Sequence, residues 1–173
     1  MTAVLVVIGG LPGAGKSTLA AALAARTRST YLRTDRIEQA VVAWTSLTHP
    51  VGPVGYAVAH TLAEEQLRLG LDVIVECVNP LAVTRDAWPG TATGAGAALV
   101  EAEVICSDPA EHRRRVESRA TDVEGLDKPS WSEVVAREYE PWSRDRLVLD
   151  TAVLTVADAV DRLSAAVERA ATR

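Results

Sequence analysis

The sequence predicts an α/β protein whose core is a five-stranded parallel sheet flanked by helices. Two observations favour this fold class. Five short apolar segments alternate with segments of helical character, which is typical of a parallel sheet with helical crossovers. In addition, a glycine-rich segment, residues 10–17, separates the first predicted strand from the first predicted helix. At 173 residues with 48% hydrophobic content, the chain can bury a full core, and we expect one domain over residues 1–173.

The predicted strands are short, apolar and rich in β-branched residues. The run 4–8 contains only valine, leucine and isoleucine, as expected of a parallel strand that helices cover on both faces. The predicted strands are residues 4–8, 31–34, 72–78, 99–106 and 146–149.

The helices are predicted from strong helix formers and from their start and stop signals. A stretch with two prolines and two glycines, residues 48–55, separates two helical segments. Pro89 and Gly90 are expected to end the helix that follows strand three, and residues 91–98 fit either a loop or a frayed helix. The predicted helices span about 19–26, 35–47, 56–69, 81–88, 108–120, 130–141 and 155–173.

Three of these helices begin with capping signals. In each, a Ser, Thr or Asp precedes the helix and an acidic residue follows three positions later, so that the two can bond each other's backbone N–H groups. The pairs are Asp108 with Glu111, Ser130 with Glu133, and Thr155 with Asp158.

Residues 10–17 carry the complete pattern G-x-x-x-x-G-K-[ST], a phosphate-binding loop, between a strand and a helix. Its glycines let the backbone curl so that N–H groups point at an anion, and the helix dipole adds to the attraction. Lys16 supplies charge to the terminal phosphates of ATP, and Ser17 is the expected Mg²⁺ ligand. The sequence has 16 arginines but two lysines, so a lysine at this position is informative. The expected nucleotide-binding residues here are Gly10, Leu11, Pro12, Gly13, Ala14, Gly15, Lys16, Ser17 and Thr18.

Two acidic residues close neighbouring predicted strands. Asp35 follows strand two, where ligands of open α/β sheets bind, and suits a general base that takes a proton from a hydroxyl. It could instead cap the following helix or reach Mg²⁺ through water. Glu76 near the end of strand three is a candidate metal residue, and could alternatively orient substrate or bond a neighbouring helix.

A cluster of arginines lies on the helix over 108–120. Arg115 and Arg119 are one turn apart at the mouth of the loop 121–130, and together they suggest an arginine-bearing lid that stabilises phosphoryl transfer. Arg113 and Arg114 are better explained as a solvated face paired with glutamates. For Arg115 and Arg119, the alternative is that they also belong to this solvated face.

Composition narrows the partners. A net charge of −5 argues against general nucleic-acid binding, which needs a dense basic surface. No segment reaches the length of about 20 apolar residues that a membrane span requires. We therefore expect a cytoplasmic protein, monomeric or homodimeric, whose Cys77 and Cys106 are free thiols.

These features together resemble the small P-loop kinases, which include AAA_33-type ATP-binding proteins, the 5′-hydroxyl polynucleotide kinase domain, chloramphenicol phosphotransferase, gluconate kinase and the zeta-toxin kinases. The resemblance implies a P-loop NTPase fold, Asp35 as general base and Lys16 as phosphate ligand. It also implies that Asp150 and Thr151 border the adenine. Many members carry Asp-x-x-Arg after strand two, but here the last position is Glu38, which favours a neutral or cationic acceptor over an anionic one.

The sequence thus favours an ATP- and Mg²⁺-dependent kinase that phosphorylates a hydroxyl of a small molecule, either a metabolite or an antibiotic. The alternatives are a P-loop ATPase that acts as a nucleotide-binding switch, and a polynucleotide or zeta-toxin-type kinase. The acceptor pocket is expected in the insert 36–70 and after strand three. Its candidate lining residues are Trp44, Tyr56, His60, Asn79 and Arg85.

Overall fold

A computed structural model describes residues 2–118 and 129–172. Arg119 and residues 121–128 of the predicted lid lie outside the described residues. The strands are β1 (Val4–Gly9), β2 (Thr30–Arg33), β3 (Val73–Glu76), β4 (Ala98–Ile105) and β5 (Leu147–Asp150). The helices are α1 (Lys16–Thr27), α2 (Thr34–Trp44), α3 (Val54–Arg68), α4 (Ala82–Gly94), α5 (Pro109–Ser118), α6 (Trp131–Ala136) and α7 (Val156–Ala171).

The strands form one parallel sheet in the order β2-β3-β1-β4-β5, which confirms the predicted fold class. Strand β3 lies between β2 and β1, with Glu76 opposite both Ile8 and Arg33. The carboxyl ends of these three strands therefore meet at one edge of the sheet. This is the edge at which the glycine-rich loop leaves β1.

The central strand β1 divides its side chains between two cores. Val4, Val6 and Ile8 pack with the helices α1 and α7 on one face of the sheet. Leu5 and Val7 pack with α3 and α4 on the other face. All five side chains are buried, because alternate residues of a strand point to opposite faces and both faces carry helices.

Helix α4 continues through Pro89, so the predicted stop at Pro89 and Gly90 is wrong. A proline inside a helix removes the hydrogen bond to the carbonyl four residues earlier, here that of Arg85. In this fold the Arg144 Nη2 group donates to the Arg85 carbonyl oxygen at 2.8 Å. A distant side chain therefore replaces the missing partner, and the helix extends to Gly94.

The other boundaries differ from the predictions by a few residues. Thr34 begins α2 instead of ending β2, and α6 ends at Ala136, well before Pro141. The capping boxes at Ser130 and Thr155 are both present, which confirms these helix starts. In the described part of the chain, no helix combines the length and the apolar character that crossing a bilayer demands.

Arg144 offers a test of this packing. Its guanidinium also pairs with Glu101, a carboxylate on β4 whose side chain is 6% exposed, at 2.6 Å. We expect Arg144→Ala to lower the free energy of unfolding by about 2–3 kcal/mol, because it leaves a buried carboxylate and the Arg85 carbonyl without a partner. Urea denaturation would measure the loss. Arg26→Ala is the matched control, since its pair with Asp161 is exposed and should contribute less than about 1 kcal/mol.

Candidate active site

The glycine-rich loop lies against the main chain of β4. Gly10 has a φ of 141°, and a Cβ built on it would lie 2.2 Å from the carbonyl oxygen of Val104. Gly13 has a φ of 80°, and its Cβ would meet a Val116 methyl group at 2.5 Å. No other residue fits these two positions, because both the left-handed backbone and the close approach exclude a side chain.

Helix α1 begins at Lys16, so Lys16 and Ser17, the last two residues of the loop, are also the first two residues of the helix. Lys16 is 8% exposed, and its Nζ group donates to the Leu11 carbonyl oxygen at 3.0 Å. The ammonium group is thus folded back across the loop that it belongs to. A buried lysine over a curled backbone is the arrangement that binds the terminal phosphates of a nucleotide.

Helix α5 supports the loop from outside. His112 is 7% exposed, and its Nε2 group donates to the Pro12 carbonyl oxygen at 2.8 Å. The His112 ring packs edge-on against Trp131 at 5.2 Å, and Val116 covers Gly13. Sequence reasoning did not find this role, since one histidine a hundred residues from the loop carries no signal of the contact.

Glu76 is the centre of a polar cluster at the carboxyl edge of the sheet. Ser17 Oγ donates to Glu76 Oε1 at 2.5 Å, and the Tyr31 hydroxyl donates to Oε2. Arg33 Nε lies 3.1 Å from Glu76 Oε2, and Arg33 Nη2 lies 3.4 Å from Ser17 Oγ. The structure therefore brings together the two residues predicted to hold a metal ion, and adds Tyr31 and Arg33, which the sequence analysis missed.

The pair formed by Ser17 and Glu76 fits Mg²⁺. This ion prefers oxygen ligands and is usually held by one or two carboxylates together with phosphate oxygens and water. Within residues 2–118 and 129–172, no group of three His, Cys, Asp or Glu side chains could form a complete metal cage. The donor set matches an ion that arrives with a nucleotide, because the nucleotide's phosphates would complete the coordination.

Asp35 lies in the first turn of α2, directly after β2. Arg33 is the N-cap residue of that helix, and no side-chain cap is present. Among the described residues, the Asp35 carboxylate accepts no hydrogen bond and forms no ion pair, so it does not act as a structural cap. Burial raises the pKa of the Cys77 thiol to about 12, with Lys16 lowering it and Glu76 and Asp35 raising it further. The charges of these three groups therefore all act on the same thiol.

Glu38 follows one turn after Asp35 on α2. Its carboxyl group lies against Gly55, where a Cβ would be 2.6 Å from Glu38 Oε1. Burial raises the pKa of Glu38 from 4.5 to about 7; the nearby charge of Asp35 raises it further, and that of Arg137 lowers it. The position that often carries arginine in similar kinases thus holds a half-buried acid.

Arg115 lies on the opposite side of the loop from Asp35. Its guanidinium donates to Thr151 Oγ1 at 2.7 Å, to the Thr151 carbonyl oxygen at 3.1 Å, and to Glu111 Oε1 at 2.8 Å. Arg115 and Thr151 border a cavity of about 340 Å³ that also touches Gly15 and Thr18. A nucleotide whose phosphates lie in the loop would extend into this cavity.

Asp150 has a structural partner set. Its Oδ1 atom accepts from the backbone N–H groups of Ser107 and Ala152, each at 3.0 Å. The carboxylate therefore shapes the turn after β5. Thr151 Oγ1 in turn donates to the Ala14 carbonyl oxygen at 2.8 Å, which ties this turn to the glycine-rich loop.

Three candidate pocket residues have other positions. Trp44 is 88% exposed at the end of α2. His60 stacks on Trp88 with 3.7 Å between the ring centroids, between α3 and α4. Arg85 is 2% exposed and does not face a pocket. Its guanidinium donates to backbone carbonyls of Asn79, Pro80, Glu140 and Pro141.

Comparison with solved structures shows the fold of small kinases. A candidate kinase from Chloroflexus aurantiacus has 19% sequence identity and a TM-score of 0.78, with 98% of each chain covered. The Mycobacterium tuberculosis APS kinase CysC, solved with AMPPNP and APS, has 19% identity and a TM-score of 0.71, covering 96% of this chain and 98% of its own. A gluconokinase from Sinorhizobium meliloti has 21% identity and a TM-score of 0.64, covering 99% of this chain and 95% of its own.

The family AAA_33, described as an AAA domain, matches residues 5–141. This range includes the glycine-rich loop, Asp35, Glu76 and Arg115. Among curated proteins, none matches the sequence significantly.

The raised pKa of Glu38 predicts how stability changes with pH. Between about pH 4.5 and 7, the folded protein keeps a proton on Glu38 that the unfolded chain has released. The free energy of unfolding should therefore fall across this interval, relative to Glu38→Gln, and the difference should level off above pH 7. Urea denaturation of both proteins at several pH values would measure it. Parallel profiles would show that Glu38 titrates normally.

Proposed function

Because the chain belongs to the AAA_33 family of AAA domains, we propose that it is an ATP- and Mg²⁺-dependent kinase that phosphorylates a hydroxyl of a small molecule. The observation that carries this proposal is the 2.5 Å contact between Ser17 Oγ and Glu76 Oε1 at the edge where the phosphate loop begins. It joins the magnesium-binding hydroxyl of the loop to a carboxylate on the neighbouring strand. We expect such an enzyme in the cytoplasm, because the cytoplasm supplies ATP.

We assign one set of residues to binding the nucleotide and Mg²⁺, and another to the reaction with the acceptor. Backbone N–H groups of the loop and Lys16 bind the terminal phosphates, while Arg115 and Thr151 border the space for the rest of the nucleotide. Ser17 and Glu76 would hold Mg²⁺, which would neutralise charge on the phosphate oxygens. Arg119 is proposed to add positive charge from the lid.

Asp35 accepts the proton of the attacking hydroxyl. The hydroxyl oxygen forms a bond to the γ-phosphorus as the bond between that phosphorus and the bridging oxygen of ADP breaks, so the products are a phosphate ester and ADP. Asp35 suits this step because its carboxylate is half-buried and has no hydrogen-bond partner among residues 2–118 and 129–172. The proton it gains would leave to solvent after product release.

Replacing Asp35 tests the base assignment. We expect Asp35→Asn to leave ATP affinity within a few-fold and to lower kcat by on the order of 10²–10⁴, because the amide keeps the shape but takes no proton. Coupled measurement of ADP release with a phosphorylated acceptor gives kcat, and calorimetry gives ATP affinity. Asp161→Asn, an exposed change on α7, is the control and should leave both unchanged. A mutant with wild-type turnover would eliminate the assignment.

Replacing Lys16 tests the loop. Lys16→Ala should lower both ATP affinity and kcat, because the lysine contacts the phosphates before and during transfer. Calorimetry with ATP and Mg²⁺ would measure the first effect. Arg162→Ala removes an exposed charge from α7 and serves as the control. Undiminished ATP binding in Lys16→Ala would contradict the loop assignment.

The ATPase-switch alternative makes a different prediction. ATP hydrolysis that no hydroxyl compound stimulates, with no phosphorylated product, would favour it over the kinase. Phosphate transfer to an oligonucleotide 5′ end would favour a polynucleotide kinase; the acid at Glu38 argues against that acceptor.

A further inference from the structure

We propose that the acceptor carries a protonated amine as well as the hydroxyl, and that Glu38 selects it. This inference rests on the proposed kinase function and specifies its substrate class: small amino alcohols, including amino sugars. Glu38 is then a specificity-determining residue, and Asp35 remains the residue that takes the proton. Four observations carry the proposal.

The first observation is the position of Glu38. It lies three residues after Asp35 on α2, so the two side chains share one face of the helix with Cβ atoms about 5–6 Å apart. A hydroxyl that reaches Asp35 therefore belongs to a molecule whose next few atoms pass Glu38. A molecule with an amine a few bonds from its hydroxyl would place the two groups at the two carboxylates.

The second observation is the space that Glu38 occupies. A Cβ on Gly55 would lie 2.4 Å from Glu38 Cγ and 2.6 Å from Oε1. Gly55 is buried in the first turn of α3. Any larger residue would push the Glu38 carboxyl group out of its position, so the glycine in α3 leaves the space in which this carboxyl group lies.

The third observation is that Glu38 has no hydrogen-bond or ion-pair partner among the described residues. The buried carboxylates Glu101 and Glu103 pair with Arg144 and Arg146, at 2.6 and 2.7 Å. Glu76 pairs with an arginine as well. Within the part of the chain that the structure describes, the half-buried Glu38 makes neither a hydrogen bond nor an ion pair. A half-buried acid that forms no direct ion pair is costly, and a cationic ligand in contact with it would reduce that cost.

The fourth observation is a second unused polar group nearby. The Asn79 side chain is fully buried, and neither of its amide atoms has a hydrogen-bond partner among the described residues. The backbone N–H of Asn79 donates to the hydroxyl of Tyr56, the residue that follows Gly55. Buried polar atoms are almost always bonded in native proteins, so the unbonded amide of Asn79 is consistent with a polar ligand near the carboxyl end of β3.

The surrounding charges favour a cation over other ligands. Burial and the charge of Asp35 on α2 raise the pKa of Glu38, and the charge of Arg137, which follows α6, lowers it. Burial and the charge of Glu38 in turn raise the pKa of Tyr56 on α3. Arg137 forms no ion pair with Glu38 among the described residues, so the carboxylate is still open to a ligand. An anionic acceptor would meet two carboxylates and be repelled. The amine keeps its proton throughout transfer, so it binds and orients the acceptor without taking part in the reaction.

The experiment compares matched acceptors. Wild-type protein with ATP and Mg²⁺ is given glucosamine, galactosamine and serinol, each beside its N-acetyl derivative and its hydroxyl analogue, and mass spectrometry detects the phosphorylated product. We expect kcat/KM to favour the free amine by about 10- to 100-fold, since a hydrogen bond to a charged group is lost on acetylation. Glu38→Gln should reduce this preference to within about threefold.

Two further variants separate the carboxylate from general damage. Gly55→Ala keeps the charge but displaces Glu38, and should also lose the preference for the amine, while thermal denaturation reports whether it folds. Glu65→Gln, an exposed change on the same helix as Gly55, should keep the preference. Titration of glucosamine into protein already saturated with AMPPNP and Mg²⁺ should show clear binding to the wild type and at least about tenfold weaker binding to Glu38→Gln.

The possible failures are distinguishable. Phosphorylation of neutral or anionic acceptors only, or a preference for amines that survives in Glu38→Gln, overturns the inference and leaves the kinase assignment intact. Nucleotide binding without phosphate transfer to any member of the panel counts against the kinase assignment and the inference together.

Discussion

The close approach of the glycine-rich loop to the sheet is the constraint on which the rest of the site depends. Gly10 brings the loop so near to β4 that a side chain would overlap the Val104 carbonyl oxygen. From that point the backbone curls, α1 starts at Lys16, and Ser17 faces Glu76 on the neighbouring strand. Without this approach, Lys16 and Ser17 would not lie beside the Glu76 carboxylate.

The loop is also held from the side of α5 and of the turn after β5. His112 donates to the Pro12 carbonyl, and Thr151 donates to that of Ala14. Arg115 links the same turn to α5. The backbone carbonyls of Pro12 and Ala14 are thereby bonded to protein groups, which holds the loop in place. The nucleotide side of the site and the loop are consequently one connected unit.

The carboxylates on β4 differ from those on α2 in whether an arginine pairs with them. Glu101 and Glu103 are buried, and each pairs with an arginine that follows α6, which stabilises the packing against β4. Asp35 and Glu38 lie on one face of α2 and lack such partners among the described residues. Since a charge near the interior without an ion pair is costly, the absence of such a pair among the described residues supports the proposal that both carboxylates bind a ligand. The proposed hydroxyl and amine of the acceptor would satisfy both.

The sequence by itself determined the fold class, the phosphate loop and the starts of the capped helices, because these depend on local patterns: apolar runs, glycines at fixed spacing, and side chains that bond the next turn. It also indicated Asp35 and Glu76, since polar residues at the ends of parallel strands must meet at one edge. The tertiary structure alone decided the contacts between distant segments. These include His112 under the loop, Arg33 and Tyr31 at Glu76, Gly55 under Glu38, and Arg144 at the carbonyl that Pro89 leaves unbonded. Such partners lie far apart in the sequence, and no local pattern specifies them. Helix α4 therefore continues through Pro89 with a distant residue, Arg144, donating to the Arg85 carbonyl oxygen that the proline leaves without a hydrogen bond.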